Sequence, residues 1–265
     1  MNITGYLISM GVSAVVCALM TFFLLKHEIA GIRHGKTCAC AVCLLVLGWV
    51  LGYAGAKLLY VLLMLPFVLM QGLGRTLLSI DIYQMSYYGG MAGGILAAFL
   101  TARMVRVPAG AFLNAFAPAG AFMAAMARFS EYFLGMFGVG DYIEEGGFFP
   151  LAIANRWGEY YLAVFLFEGV VALIAMGISL VPKYRQQKEC FVRTLFYLCL
   201  PQIVLESLRN QSIAWLFVRC EQLVCYFYVE AVLIVWSVQT KKRHPGRKGW
   251  YWPFVTGLIV CALTI

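Results

Sequence analysis

From Asp81 to Gly140 the sequence reads DIYQMSYYGGMAGGILAAFLTARMVRVPAGAFLNAFAPAGAFMAAMARFSEYFLGMFGVG. Two apolar runs are broken first by Tyr87, Tyr88, Gly89 and Gly90, then by Pro118, then by Arg128 and Glu131. A helix needs about 20 apolar residues to cross roughly 30 Å of hydrocarbon, so each run reads as a membrane crossing. Arg128 decides where the chemistry is sought. A guanidinium stays charged at any physiological pH, and holding one at the edge of a hydrocarbon layer costs several kcal/mol unless it is paired or hydrated.

The same pattern repeats along the whole chain. With 63% hydrophobic and 12% charged residues, and a mean hydropathy of +0.84, a soluble globular domain is excluded. The expected fold is all-α: a polytopic bundle of about seven transmembrane helices, forming one membrane-embedded domain over residues 1–249. The formal charge of +8 falls in short clusters between apolar spans and forms no basic face, which argues against a nucleic-acid partner. The nine cysteines show neither metal-ligand spacing with histidines nor a paired framework, so no metal and no cofactor is expected. Cys38, Cys40 and Cys43 read as small buried apolar residues. The first span lacks a basic leader and a small-residue cleavage site, so no cleavable signal peptide is expected.

In order, the expected spans cover about Ile3–Leu25, Ala39–Phe67, Tyr87 to Arg103, Ala111–Phe129, Tyr160–Val181, Thr194–Leu208 and Leu223–Val238. The second carries Gly48, Gly52, Gly55 and Ala56 as a small-residue stripe for close helix approach, with Lys57 needing a partner or an escape to the interface. Pro118 is tolerable inside the fourth where protein or water lines the break. Glu131 to Glu159 reads as a long, acidic, non-cytoplasmic loop. Basic clusters follow spans one, three, five and seven, which places the amino terminus outside. The tail from Trp250 to Ile265 is apolar but short. It reads as an interfacial or re-entrant segment, with an eighth crossing as the alternative.

Polar residues gather on the expected outer side. Gln202, Glu206 and Arg209 recur at four and three residues and share a helix face, which must look inward. Glu206 with Arg209 is either a structural pair or part of a substrate site. Arginines at headgroup depth suit phosphate, to which a guanidinium donates two parallel hydrogen bonds. Gly89 and Gly90 allow close backbone approach, and Tyr88 is a proton acceptor, a phosphate donor or a membrane anchor.

Met85-Ser86-Tyr87-Tyr88-Gly89-Gly90 with Met91-Ala92-Gly93-Gly94, then Ala117-Pro118, then Ala127-Arg128-Phe129 and Gly135, resembles the prolipoprotein diacylglyceryl transferase family. Gly52, Gly55-Ala56-Lys57-Leu58 and Tyr60 look like that family's Gly-Ala-Arg-Leu segment, and Gln202 to Arg209 is similar to its late helix. The likeness runs from about Lys26 to Arg243.

The resemblance implies seven spans in the bacterial inner membrane, with the site toward the outer face. It implies transfer of a diacylglyceryl group from phosphatidylglycerol to the lipobox cysteine at the prolipoprotein signal peptide, with release of glycerol phosphate. Such a reaction needs cations for the phosphate leaving group and a base for the cysteine thiol. Arg128 matches the signature arginine. Arg128, Tyr88 and Glu131 are the catalytic candidates, and Gly89, Gly90, Gln202, Glu206 and Arg209 the substrate-binding ones.

The chain also departs from the family pattern. Tyr88 stands in place of a histidine, Glu131 of an asparagine and Gln202 of a second arginine. Leu134 and Met136 replace polar residues. Two other readings follow from the same residues: a non-catalytic relative that binds a lipid or lipoprotein, and a small transporter sharing only the hydropathy.

Overall fold

The structure, a computed structural model, describes residues 2–79, 81–135, 138–144, 147–182, 189–210, 214–215, 218–243 and 255. The expected basic residues Lys183, Arg185, Lys188, Arg247 and Lys248, together with Met136, Glu145 and the tail from Trp250 to Ile265 apart from Val255, lie outside the described residues. The chain is mostly helical and resolves into two compact units, one of residues 11–124 and one of residues 1–10 with 125–265.

Among the described residues the α-helices run in the order α1 (Ile3–Glu28), α2 (His34–Leu63), α3 (Leu65–Gln71), α4 (Leu73–Leu78), α5 (Tyr87–Met104), α6 (Ala109–Ser130), α7 (Val164–Leu180), α8 (Cys190–Ser207) and α9 (Cys220–Arg243). Among the described residues, four helical stretches are long and apolar enough to cross a membrane: Ile3–Glu28, His34–Leu63, Ala109–Leu134 and Cys190–Ser207. Val164–Leu180 is apolar but shorter. Exposed Ile8, Val12, Val15, Leu19 and Phe23 on α1, and Val42, Val46, Trp49 and Tyr53 on α2, recur at three and four residues. Each set forms an apolar stripe on one helix face, a face that water would not tolerate and lipid would.

Within the unit of residues 11–124, α2 and α5 cross at their glycines. A Cβ on Gly89 would run into the carbonyl oxygen of Gly55 and lie 2.7 Å from the Leu59 Cβ, and one on Gly93 would strike the Leu51 carbonyl. The expected stripe therefore works through Gly52 and Gly55, whereas Gly48 has open space around it. α5 begins at Ser86, whose hydroxyl accepts a hydrogen bond from the Gly89 N–H at 3.5 Å, while the Ser86 N–H donates to the Ala56 carbonyl at 3.0 Å.

Several boundaries differ from the apolar pattern. The second helix stops at Leu63 instead of running to Phe67, because Pro66 in the first turn of α3 has no N–H for a continuing ladder and its ring clashes with the preceding turn. The stretch Gln71–Gln84, between the second and third expected spans, contains α4 and a 3-10 turn at Ile82–Gln84. Cys38, expected to be buried, is exposed on the first turns of α2, with its Sγ 3.4 Å from the His34 Nδ1, while Cys40 is buried as expected.

In the other unit, the fold is not purely helical. Tyr160–Leu162, read above as the start of a span, is the central strand β3 of a small antiparallel sheet between β1 (Tyr142–Ile143) and β2 (Ala152–Ala154). A second ribbon pairs β4 (Ala214–Trp215) with β5 (Val218–Arg219). The reason is local. The Asn155 side-chain oxygen accepts from the Trp157 and Glu159 N–H groups at 2.8 and 3.0 Å, and Gly158 takes φ +81°, so the chain reverses before Tyr160. Tyr142 and Tyr161 then meet edge-on across the strands with centroids 5.7 Å apart. Val139, Ala163 and Phe165 form the buried core beneath the sheet.

Gly93→Ala is expected to destabilise the protein by about 1–3 kcal/mol, since the obstructing atoms are backbone and cannot yield. Gly94→Ala, one residue along with nothing within 4 Å, is expected to hold or raise stability by up to about 1 kcal/mol through helix propensity. Thermal unfolding in detergent distinguishes the pair.

Candidate functional site

The unit of residues 1–10 and 125–265 buries two arginines together. Arg128, in the last turn of α6, is the largest fully buried side chain, at 1% exposure. Its Nη1 donates to Glu131 Oε1 at 2.8 Å and its Nε faces Glu168 Oε2 at 3.1 Å. Arg209, just beyond α8, places Nη2 2.9 Å from Glu131 Oε2 and Nη1 2.7 Å from Glu168 Oε2. The four side chains close a ring in which each carboxylate bridges both guanidiniums. Glu206 stands outside it, its Oε1 3.9 Å from the Arg209 Nε.

Each member is placed by its local chain. Glu131 opens a 3-10 turn, Glu131–Leu134, that follows α6 directly and ends at Gly135 with φ +79°. This turn carries the carboxylate three residues on from Arg128. Glu168 sits one turn into α7, beside Gly169, against which the Phe129 ring packs so closely that a Cβ would overlap it. The absence of that Cβ brings α6 and α7 near enough for Arg128 to reach Glu168. Arg209 is held by its backbone: it bridges Gly140, and the Asn210 N–H donates to the Val139 carbonyl at 3.0 Å. Gly138, with φ +78°, presses its backbone on the ring, since a Cβ there would collide with Glu131 Oε2 and lie 3.0 Å from Arg209 Nη2.

Electrostatically the ring is closed. Two buried guanidiniums in an apolar surround would be prohibitive alone, and their mutual repulsion is cancelled only because a carboxylate lies between them on either side. One carboxylate oxygen is left over: among the described residues Glu168 Oε1 is buried with no hydrogen-bond partner. The third acid, Glu206, is fully buried and gives this cluster more carboxylates than guanidiniums.

Of the residues singled out from sequence, the structure gathers Arg128, Glu131, Glu206 and Arg209, with Gln202 buried on the Glu206 helix. It adds Glu168, which the span-by-span reading passed over. The signal was available, since Glu168 is the lone ionisable residue of an otherwise apolar helix. Tyr88, Gly89 and Gly90 belong to the other unit. Tyr88 is buried at the start of α5, edge-on to Tyr87 with centroids 5.2 Å apart. The Tyr87 hydroxyl donates to the Ala124 carbonyl at 3.4 Å. The room at Gly89 is taken by α2, so its small size serves helix packing, whereas a Cβ on Gly90 would meet the Ala56 Cβ only at an ordinary contact distance of 3.7 Å. Lys57 is buried there too, donating to Ser79 Oγ at 3.1 Å and Gln84 Oε1 at 3.4 Å.

An inward-facing pair of arginines held by acids from separate helices matches the order in which the sequence motifs occur. The model of prolipoprotein diacylglyceryl transferases matches residues 1–238 of the 265. The chain belongs to the prolipoprotein diacylglyceryl transferase family. That family is a transferase family of lipoprotein maturation, acting on prolipoprotein substrates in a membrane. No curated protein matches the sequence as a relative. Against the family pattern read from the sequence, the position given to an asparagine holds Glu131, the acid that closes the arginine ring.

Removing Glu168 leaves the Arg128 Nε and Arg209 Nη1 buried without the carboxylate that joins them, with Glu131 as the one remaining bridge of the ring. Glu168→Ala is expected to cost about 3–5 kcal/mol, the penalty for leaving a buried ion pair half made. A double-mutant cycle of Glu168→Ala with Arg209→Ala, followed by denaturant unfolding, is expected to show a coupling energy above about 1 kcal/mol. Additive losses would mean the two side chains do not share a bond.

Proposed function

We propose that this chain transfers a diacylglyceryl group from phosphatidylglycerol to the lipobox cysteine of a prolipoprotein. In this reading the chain crosses the bacterial inner membrane about seven times as one membrane-embedded domain over residues 1–249, with its amino terminus and active site toward the outer face. Arg128 and Arg209 hold the phosphate of the donor, Glu206 and Gln202 line the headgroup side, and Tyr88 and Glu131 handle the proton of the cysteine thiol. Gly89 and Gly90 carry a substrate-binding role on the sequence resemblance alone. In the reaction the thiol gives up its proton, the sulfur forms a bond to the glycerol carbon that bore the phosphate ester, and that carbon–oxygen bond breaks to release glycerol phosphate.

The observation that carries the reading is the meeting of Arg128 and Arg209, 81 positions apart in the chain, on the same two carboxylates. Two guanidiniums brought so close suit the two non-bridging oxygens of one phosphate better than two separate ligands. In the ring both are desolvated and oriented before any ligand arrives, so an anion that takes the place of one carboxylate does not meet the dehydration cost afresh. The same closed ring favours a second reading, a relative that keeps the lipid site without turnover, because every cation in it already has an acid.

The test is incubation of the purified protein in lipid with a lipobox peptide and phosphatidylglycerol, with the diacylated peptide scored by mass. Wild type is expected to form product, and Arg128→Ala to lose about 100-fold or more, the scale of removing one donor from a developing anion. Glu131→Asn, which uncovers one nitrogen on each arginine but removes a proton-handling carboxylate, is expected to tighten binding of the donor and to lower turnover. Absence of product from a folded wild type would leave the non-catalytic reading standing.

A further inference from the structure

At the other end of α5 from Tyr88, roughly 25 Å along the helix, the turn between α1 and α2 and the turn between α5 and α6 border an open cavity of about 440 Å³. It is lined by Arg33, Lys36 and Arg106 together with Ile32, Val107 and Pro108, and among the described residues no acidic side chain lines it. Arg106 takes φ +58°, the one positive value for a non-glycine residue among those described. A side chain rarely adopts that conformation without support. The support is visible: the Val107 N–H donates to the Ala102 carbonyl at 2.9 Å, the Arg106 N–H to the Arg103 carbonyl at 3.2 Å, and Pro108 follows. Arg33 is the N-cap residue of α2, with no side-chain hydrogen bond capping that helix start.

We propose that this cavity is a binding site for a phosphate group, separate from the arginine ring. Loop cations that only set orientation in the membrane need not border a common cavity, whereas here three exposed cations line one. The volume lies in the range of small-ligand sites, and a phosphate with a short polar substituent fills it. Arg103 supplies the comparison. It lies on the same turn, but its guanidinium stacks on the Phe99 ring at 5.2 Å and does not line the cavity.

The experiment is calorimetric titration of the full-length protein, in neutral detergent, with dioctanoyl phosphatidic acid and separately with inorganic phosphate. Arg106→Gly keeps the left-handed turn and removes the charge, so it is expected to fold, with an unchanged thermal midpoint, and to weaken binding at least tenfold, as is Arg33→Gln. Arg103→Gln is expected to stay within twofold of wild type. Binding of both probes with this pattern identifies a soluble phosphate compound as sufficient, and binding of the lipid alone identifies a membrane headgroup. No binding by wild type, equal losses in Arg103→Gln and Arg106→Gly, or no loss in either cavity variant would overturn the proposal.

Discussion

Two guanidiniums cannot share an apolar interior unless something negative stands between them. Arg128 and Arg209 meet that condition through Glu131 and Glu168, each spanning both cations. The surrounding chain is shaped by this demand. Gly169 gives up its side chain so that Phe129 and α6 can come close, Gly138 turns left-handed where any Cβ would strike Glu131, and the bridge from Gly140 fixes the backbone of Arg209. A ring of alternating charge tolerates small errors in position poorly, because each bond is shared. Rigid placement by four separate segments is what keeps it closed.

The unit of residues 11–124 buries a cation differently. Lys57 has neutral oxygens for partners, Ser79 Oγ and Gln84 Oε1, which are themselves joined at 2.6 Å, and Ser79 is tied back to the Thr76 carbonyl at 2.9 Å. An ammonium is a compact point charge that three acceptors can satisfy, whereas a guanidinium presents a planar fork that calls for carboxylates or phosphate. The chemistry of each cation therefore predicts the company it keeps. The glycine crossing of α2 and α5 makes the Lys57 cluster possible, since it sets Ala56 against the capping turn at Ser86 that precedes α5.

How far the sequence could be read depended on the length of the signal. Long apolar runs such as Ile3–Glu28 announce themselves over twenty or more residues, and the stripe of small residues on α2 marked a close helix approach, which runs through Gly52 and Gly55, without naming the helix it meets. Strands of two or three residues, like Tyr160–Leu162, are too short to show a period, and their aromatic residues merged into the neighbouring apolar span. Arg128, Glu206 and Arg209 were found because charge in an apolar setting is conspicuous. Their pairing was not legible, since nothing in a linear sequence says that Glu131 belongs as much to Arg209, 78 positions on, as to Arg128 beside it. Glu168 carried the same conspicuous signal and was missed because it lay inside a span counted only for its hydropathy.

The two acids of the ring are not equivalent. Glu168 is anchored a turn into a regular helix whose packing against Phe129 fixes its position, and it gives a single oxygen to both arginines. Glu131 gives one oxygen to each arginine from the first residue of a four-residue 3-10 turn, a looser element that ends at a left-handed glycine. If an anionic headgroup enters, as the proposed function requires, the carboxylate that yields is therefore Glu131. Its departure frees one nitrogen on each arginine, the pair a single phosphate can bridge, while Glu168 continues to hold the two cations at their spacing. An asparagine in its place would leave those nitrogens open from the start. The acid at this position thus makes the site one that must be opened before use.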